Sequence, residues 1–224
     1  MTTSTQKLKL GAAFLLLVVL PGIRAHAEPL PSVDDPELAR GPYASMHMLF
    51  TKTLLSIKVA TIDARFDRRA QARFAELARN QATYSSQIAP QLALAAFDSG
   101  RAVVQMQFLR DIPFKRWLGV VRDSVAEARK AGLITTEVEQ RVSQSLPQWF
   151  AALADRGYKK GDRIIYAVRP DAVRSVVVSP EGQTLVDRTE PGTDGRRVVL
   201  GSYFASGSEY REPLLRSLFT PAAP

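Results

Sequence analysis

Apolar and polar positions divide the chain into stretches of two different periods. Leu10 to Leu20 is a continuous apolar run, preceded by Lys7 and Lys9 and followed by Pro21-Gly22 and the small-residue stretch Ala25-His26-Ala27. That succession reads as the charged, apolar and cleavage regions of an export signal over residues 1–27. The run is about half the ~20 residues of a membrane span, which favours a cleaved leader over an uncleaved anchor. Residues 28–45, with Pro29, Pro31, Pro36, Gly41 and Pro42, read as an extended lead-in. Met46 to Phe66 is rich in β-branched residues and reads as one strand, with Thr53, Leu55, Ile57, Val59 and Thr61 on its more apolar face. Asp67 stands at an N-cap position before a helix over 68–80, in which Ala70, Phe74, Leu77 and Ala78 recur at helical spacing. Residues 84–97 read as helical with a break near Pro90.

Arg101 to Leu109 alternates as a second strand. Phe114 to Ala131 is amphipathic, with Trp117, Leu118, Val121 and Val125 on one stripe and Gly132 at its C-terminal end. A further helix starts at Thr135 or Thr136 and runs to about Ala154, with Glu139 at capping-box distance from Thr136 and a kink expected at Pro147. The last third changes period. Strands are expected at 163–168, 173–179 and 183–186, the last two joined by a Ser179-Pro180-Glu181-Gly182 turn. A loop over 190–195, a short strand over 196–200 and a helix over 209–219 follow, and 220–224 reads as a frayed tail. Together these predict an α+β fold in one domain over 46–219, an antiparallel sheet with helices packed on one side. No internal repeat is present.

Charge and composition narrow the chemistry. Of the 224 residues 46% are hydrophobic, enough for a packed core, and the net charge is +8. Three of the 30 basic residues, Lys7, Lys9 and Arg24, lie in the leader without any acid, so the remainder carries only +5. No Lys/Arg block or basic aromatic stripe marks a nucleic-acid surface, so none is expected as a partner. There is no cysteine, which removes disulfides, thiol nucleophiles and cysteine-ligated metals. Beyond the leader one histidine is left, His47. It stands between Met46 and Met48, a combination of donors that suits copper. On a strand, however, His47 points opposite to both methionines, so the three cannot close on one ion and core packing is expected for the methionines. No metal and no cofactor is expected. An exported, cysteine-free domain fits a bacterial periplasm, with no stable membrane anchor.

Three segments, in this order, are similar to the chalcone isomerase-like family in its bacterial exported branch. They are Thr53 to Phe66 around Lys58, then Val103 to Pro113 with its Leu109-Arg110-Asp111, and Lys160-Gly161-Asp162 through Tyr166 to Gly182. The resemblance spans about residues 46–219 and implies an open-faced β-sandwich with a cleft between sheet and helices. It also implies where catalysis would sit in the plant enzymes: an arginine on the early strand, a threonine on the next, a tyrosine before the central helix and a threonine near the last helix. The arginine there clamps a developing oxyanion. Aligned on Lys58, this chain has Met48 in place of the arginine and Ala60 in place of the first threonine. Lys115 and Trp117 occupy the tyrosine's region, and only Ser217 keeps a hydroxyl near the fourth position.

The expectation is therefore a domain that does not isomerise chalcones and instead holds a small apolar or amphipathic, fatty-acid-like ligand, or serves a structural role. Fatty-acid-binding relatives also use an arginine and a tyrosine; Lys52, His47 or Arg65 would supply charge if the register shifts. The alternative is an isomerase with a displaced site built from Lys52, Lys58, Tyr166 and Ser217. Candidate ligand contacts are Lys52, Lys58, Lys115, Tyr166 and Ser217, with Lys58, Tyr166 and Ser217 also the candidates for any chemistry. Arg110-Asp111 is expected to form a local ion pair or helix-entry cap, Lys159 to Asp162 a turn with a solvated charge pair, and Trp117, Trp149 and Phe150 core. A third class is a partner-binding module docking through the arginine-rich helix. Oligomeric state is left open.

Overall fold

The computed structural model describes residues 45–52, 57–79, 81 and 83–220. The leader, nearly all of the lead-in and the end of the tail lie outside these residues. Six strands form one antiparallel sheet in which every neighbour in space is also a neighbour in sequence. They are β1 (Ser45–Lys52), β2 (Ile57–Phe66), β3 (Ala102–Phe108), β4 (Arg163–Val168), β5 (Ala172–Val178) and β6 (Thr184–Pro191). The helices are α1 (Arg68–Ala78), α2 (Ala89–Phe97), α3 (Phe114–Lys130), α4 (Thr136–Trp149), α5 (Thr193–Phe204) and α6 (Arg211–Ser217). The α+β class and the helical layer on one face are as the pattern predicts.

Four local expectations are corrected. The single strand over 46–66 is two paired strands, β1 and β2. Its buried face is the even one, Ala60, Ile62, Ala64 and Phe66. The partner β1 supplies Met46, Met48 and Phe50 to the same face, and the ladder hides both sets under the helices. Pro90 does not break a helix but lies in the first turn of α2, where its missing N–H costs nothing. The expected strand over 196–200 lies within α5. Val198, Val199 and Leu200 have strand propensity, yet α5 packs so closely on α3 that a Cβ at Gly201 would come 2.7 Å from the Ala128 Cβ. Tertiary packing overrides local propensity there. The loop expected from Glu190 starts later, because β6 continues to Pro191.

The helix ends follow their sequence signals. Asp67 caps α1 by accepting from the Ala70 N–H at 3.0 Å, and its other oxygen accepts from the Arg101 N–H at 2.9 Å. One carboxylate thus joins the start of α1 to the start of β3. Gly132 (φ 71) ends α3 in a Schellman arrangement: Leu133 N–H donates to Ala128 O and Gly132 N–H to Arg129 O. Pro147 stands inside α4 and removes the N–H that would serve Ser143 O. Arg122 of α3 donates to that carbonyl at 3.1 Å, so the proline helps to fasten α4 to α3.

Two separate apolar clusters lie between the helices and the sheet, and a third, smaller one, Val103, Ile165, Val176 and Val178, is apart from them. In the first, α1, α2, α5 and α6 pack Phe74, Leu92, Leu200, Phe204 and Leu214 on Met46, Met48, Ile62, Ala64 and Phe66. In the second, α3 and α4 pack Trp117, Val125, Val142 and Leu146 on Phe108, Ile164, Val177 and Val186. Val59, Met106 and Tyr166 touch both clusters.

Candidate functional site

The seam between these clusters is not closed. It holds a cavity of about 440 Å³, within the ~300–1,000 Å³ usual for small-ligand pockets. Val59, Met106, Ile164, Tyr166 and Ser175 of the sheet face it from one side. From the other side α3 contributes Trp117, Val120, Val121 and Ser124, and α4 contributes Val142, Leu146 and Trp149. The α5 residues are Gly195, Val198, Val199, Ser202 and Tyr203. Their 3–4-residue spacing is one continuous helical face.

Strand register explains which side chains reach the cavity. Phe50 pairs with Ala60, whereas Thr51 pairs with Lys58, so Val59 is an extra residue in β2. This bulge reverses the alternation beyond it. Ile57 and Val59 turn into the cavity beside Lys52, and Lys58 turns to the opposite, exposed face. Farther across, Tyr166 pairs with Ser175 and Ser175 with Arg188, which places three polar side chains in one row on the helix-covered face. Arg188 stacks on Trp149, its guanidinium carbon 3.8 Å from the ring centroid, and forms an ion pair with Glu190 at 3.2 Å.

Of the candidates from sequence, Lys52 and Tyr166 line the cavity; Lys58, Lys115 and Ser217 do not. Lys52 forms an ion pair with Glu209 at 3.0 Å. Lys115 is exposed on α3, one residue off the stripe that begins at Arg116. Ser217 uses its hydroxyl elsewhere: it accepts from the His47 N–H at 2.9 Å and donates to Leu214 O at 2.6 Å, tying α6 to β1. The four residues of the displaced isomerase site are therefore not assembled. His47 points away from both buried methionines and bonds to Asp63 through Nδ1 at 2.7 Å. Trp117 and Phe150 are buried, as core residues are, but also form cavity wall, and Trp149 is only half-buried against Arg188.

Two further local readings are revised. Arg110 and Asp111 are not partners: Asp111 bonds to Lys159 and accepts from the Lys160 N–H, while Arg110 stands exposed at the cavity rim. Asp162 is not solvated but fully buried, with both oxygens on Arg156. Residues that sequence reasoning missed include Arg188, Ser175, Tyr203 and Tyr210. The first continues the alternation Val186-Arg188-Glu190, and the helical spacing of Val199, Ser202 and Tyr203 was the available signal on α5.

The cavity's tyrosines are neutral donors. Burial pushes the phenol pKa of Tyr166 far up, the neighbouring Tyr210 adding to the shift, and burial does the same to Tyr203 and Tyr210. A phenol held neutral serves as hydrogen-bond donor and is ill suited to act as a general base at neutral pH. These groups bind their protons more tightly in the folded chain, so their contribution is complete below the unfolded value of about 10 and is lost as pH rises above it. Urea unfolding at stepped pH is expected to show stability falling above pH ~10, with native tyrosinate absorbance lagging behind that of the unfolded chain.

Comparison with known proteins adds the fold's relationship. No protein-family model matches the chain, and no curated protein matches it in sequence. Among solved structures, an Arabidopsis thaliana fatty-acid binding protein superposes with a TM-score of 0.53 at 14% identity, covering 83% of this chain and 96% of that one. At that identity the likeness is one of fold, and the fold of this chain is the chalcone isomerase-like one, an antiparallel sheet with its helices on one face.

Proposed function

We propose that this protein is an exported, non-enzymatic binding domain that holds a small apolar or amphipathic molecule between its sheet and its helices. The cavity carries the reading. It is a preformed void between two complete cores, walled by Val, Leu, Met, Phe and Trp side chains, with a few hydroxyls and charges converging on it. Its buried tyrosines stay protonated, and the residues of the displaced-site alternative lie on different faces of the molecule. The fatty-acid binding activity named for the Arabidopsis protein of like fold agrees with an amphipathic ligand here. Residues 1–27 support export to a periplasm.

Purified full-length protein, extracted with organic solvent and examined by mass spectrometry, is expected to release a stoichiometric amphiphile. A preparation that is ligand-free and takes up no lipid from an added extract would overturn the reading. Naringenin chalcone is expected to cyclise at the uncatalysed rate in its presence; turnover would restore the isomerase alternative.

A further inference from the structure

The charged side chains around the cavity fall into two groups, Lys52, Arg110 and Arg116 on one side and Arg188 with Glu190 on the other, and the two groups differ in net charge. At one end, Arg110, just beyond β3, and Arg116, in the first turn of α3, are exposed on the rim. Neither has an acidic partner among the described residues. The third cation on this side, Lys52, is already matched by Glu209. At the other end, Arg188 is matched by Glu190 and its flat face is covered by Trp149. Beside that neutral pair, Ser175 and Tyr166 have hydroxyls that find no hydrogen-bond partner among the described residues. Between them the lining is apolar, with Val59, Met106, Ile164, Val121 and Leu146.

We infer that the ligand is polar at both ends: an acyl chain or similar apolar spacer with an anionic group at Arg110 and Arg116, and a neutral hydrogen-bonding group, such as a hydroxyl, at Ser175 and the Arg188–Glu190 pair. This rests on the cavity being a ligand site, as proposed above. Unmatched guanidinium groups attract an anion and hold a carboxylate or phosphate in bidentate fashion. A methyl terminus pushed against Ser175 and the ion pair would take their polar atoms from water without replacing the lost hydrogen bonds. A hydroxyl donates to Glu190 and accepts from Arg188 or Tyr166, so it meets both members of a neutral pair where a second charge would be left partly unmatched. The ends are far enough apart for one extended chain. The backbone of Phe108, the last residue of β3 before Arg110, lies three strands across and four residues along the sheet from that of Arg188, a separation of about 20 Å.

The test is competition against a fluorescent fatty-acid probe with three chains of equal length: myristate, ω-hydroxymyristate and myristyl alcohol. The ω-hydroxy acid is expected to bind about tenfold tighter than myristate, the effect of one added buried hydrogen bond. In Ser175→Ala that preference is expected to shrink to about twofold or less. In Arg110→Ala/Arg116→Ala both acids are expected to weaken by about tenfold or more. Thermal melts of each variant separate lost contacts from lost folding. If myristate competes as well as its ω-hydroxy derivative in the unsubstituted protein, the two-ended ligand is overturned while the cavity remains a lipid site. If neither acid nor the alcohol displaces the probe, or the probe does not bind, the site reading falls and this inference falls with it.

Discussion

A Val121→Trp protein is expected to fold normally and to lose amphiphile binding by at least about a hundredfold. Val121 is in the middle of the α3 stripe that faces the cavity, between Trp117 and Ser124. The added indole has somewhere to go, because the space across from it is a void of about 440 Å³. Overpacking a filled core costs typically 1–3 kcal/mol, whereas filling a void restores contacts that the lining lacks. Circular dichroism and the melting temperature should therefore stay close to those of the unsubstituted protein, with any shift in melting temperature upward. Binding falls because the ligand and the indole compete for the same space. Undiminished binding of a fluorescent fatty acid would show that amphiphiles bind outside the seam.

Asp162→Ala is expected to have the largest effect on stability, about 3–5 kcal/mol. Asp162 is fully buried in the turn that leads into β4. Its carboxylate accepts two bonds from Arg156, at 2.5 and 2.9 Å, and one from the Lys159 N–H at 2.7 Å. Arg156 is 30% exposed, so water recovers part of the guanidinium's loss and the lower end of the range is the better figure. The backbone of the same turn is tied to β3: Phe108 N–H donates to Asp162 O and Gly161 N–H to Phe108 O. A loss of this size is a large share of the 5–15 kcal/mol that holds a typical domain together. Urea midpoints for Asp162→Ala and Asp162→Asn measure it. The asparagine variant should recover part of the loss, since its carbonyl still accepts from Arg156. Equal midpoints for the unsubstituted and alanine proteins would show that the buried pair adds nothing.

Both substitutions act at positions whose surroundings the sequence did not disclose, and the reasons differ. Around Asp162, Lys159-Lys160-Gly161-Asp162 has the composition of a solvated turn, and nothing local reveals that Arg156 folds back onto the carboxylate. At the cavity, Lys58 stands out in the sequence as a cation in a mostly apolar strand. A single extra residue at Val59 sends it to the opposite face, and a bulge of that kind depends on how β1 pairs, not on β2 alone. Arg188 lies two residues beyond the 183–186 strand that the apolar pattern marks, in the part of β6 where polar side chains predominate. Tyr166 was found because it lies on a strand with a clear apolar period, and its pairing with Ser175 came with the hairpin.

The sequence alone determined the elements and their class. Periods of two and near 3.6, the Asp67 cap, the Gly132 terminus and the Ser179–Gly182 turn are local signals, each decided within a few residues. They suffice for an antiparallel sheet with helices on one face. Only the tertiary structure decided that the helices meet the sheet in two clusters, and that the seam between them is open. Whether Trp117, Phe150 and Tyr203 fill a core or wall a cavity depends on the distance between helices that are far apart in sequence. That distance is set by contacts such as Gly201 against Ala128 and Arg122 on the carbonyl that Pro147 leaves free. Apolar patterning specifies which side faces inward, and long-range packing settles how much room is left there.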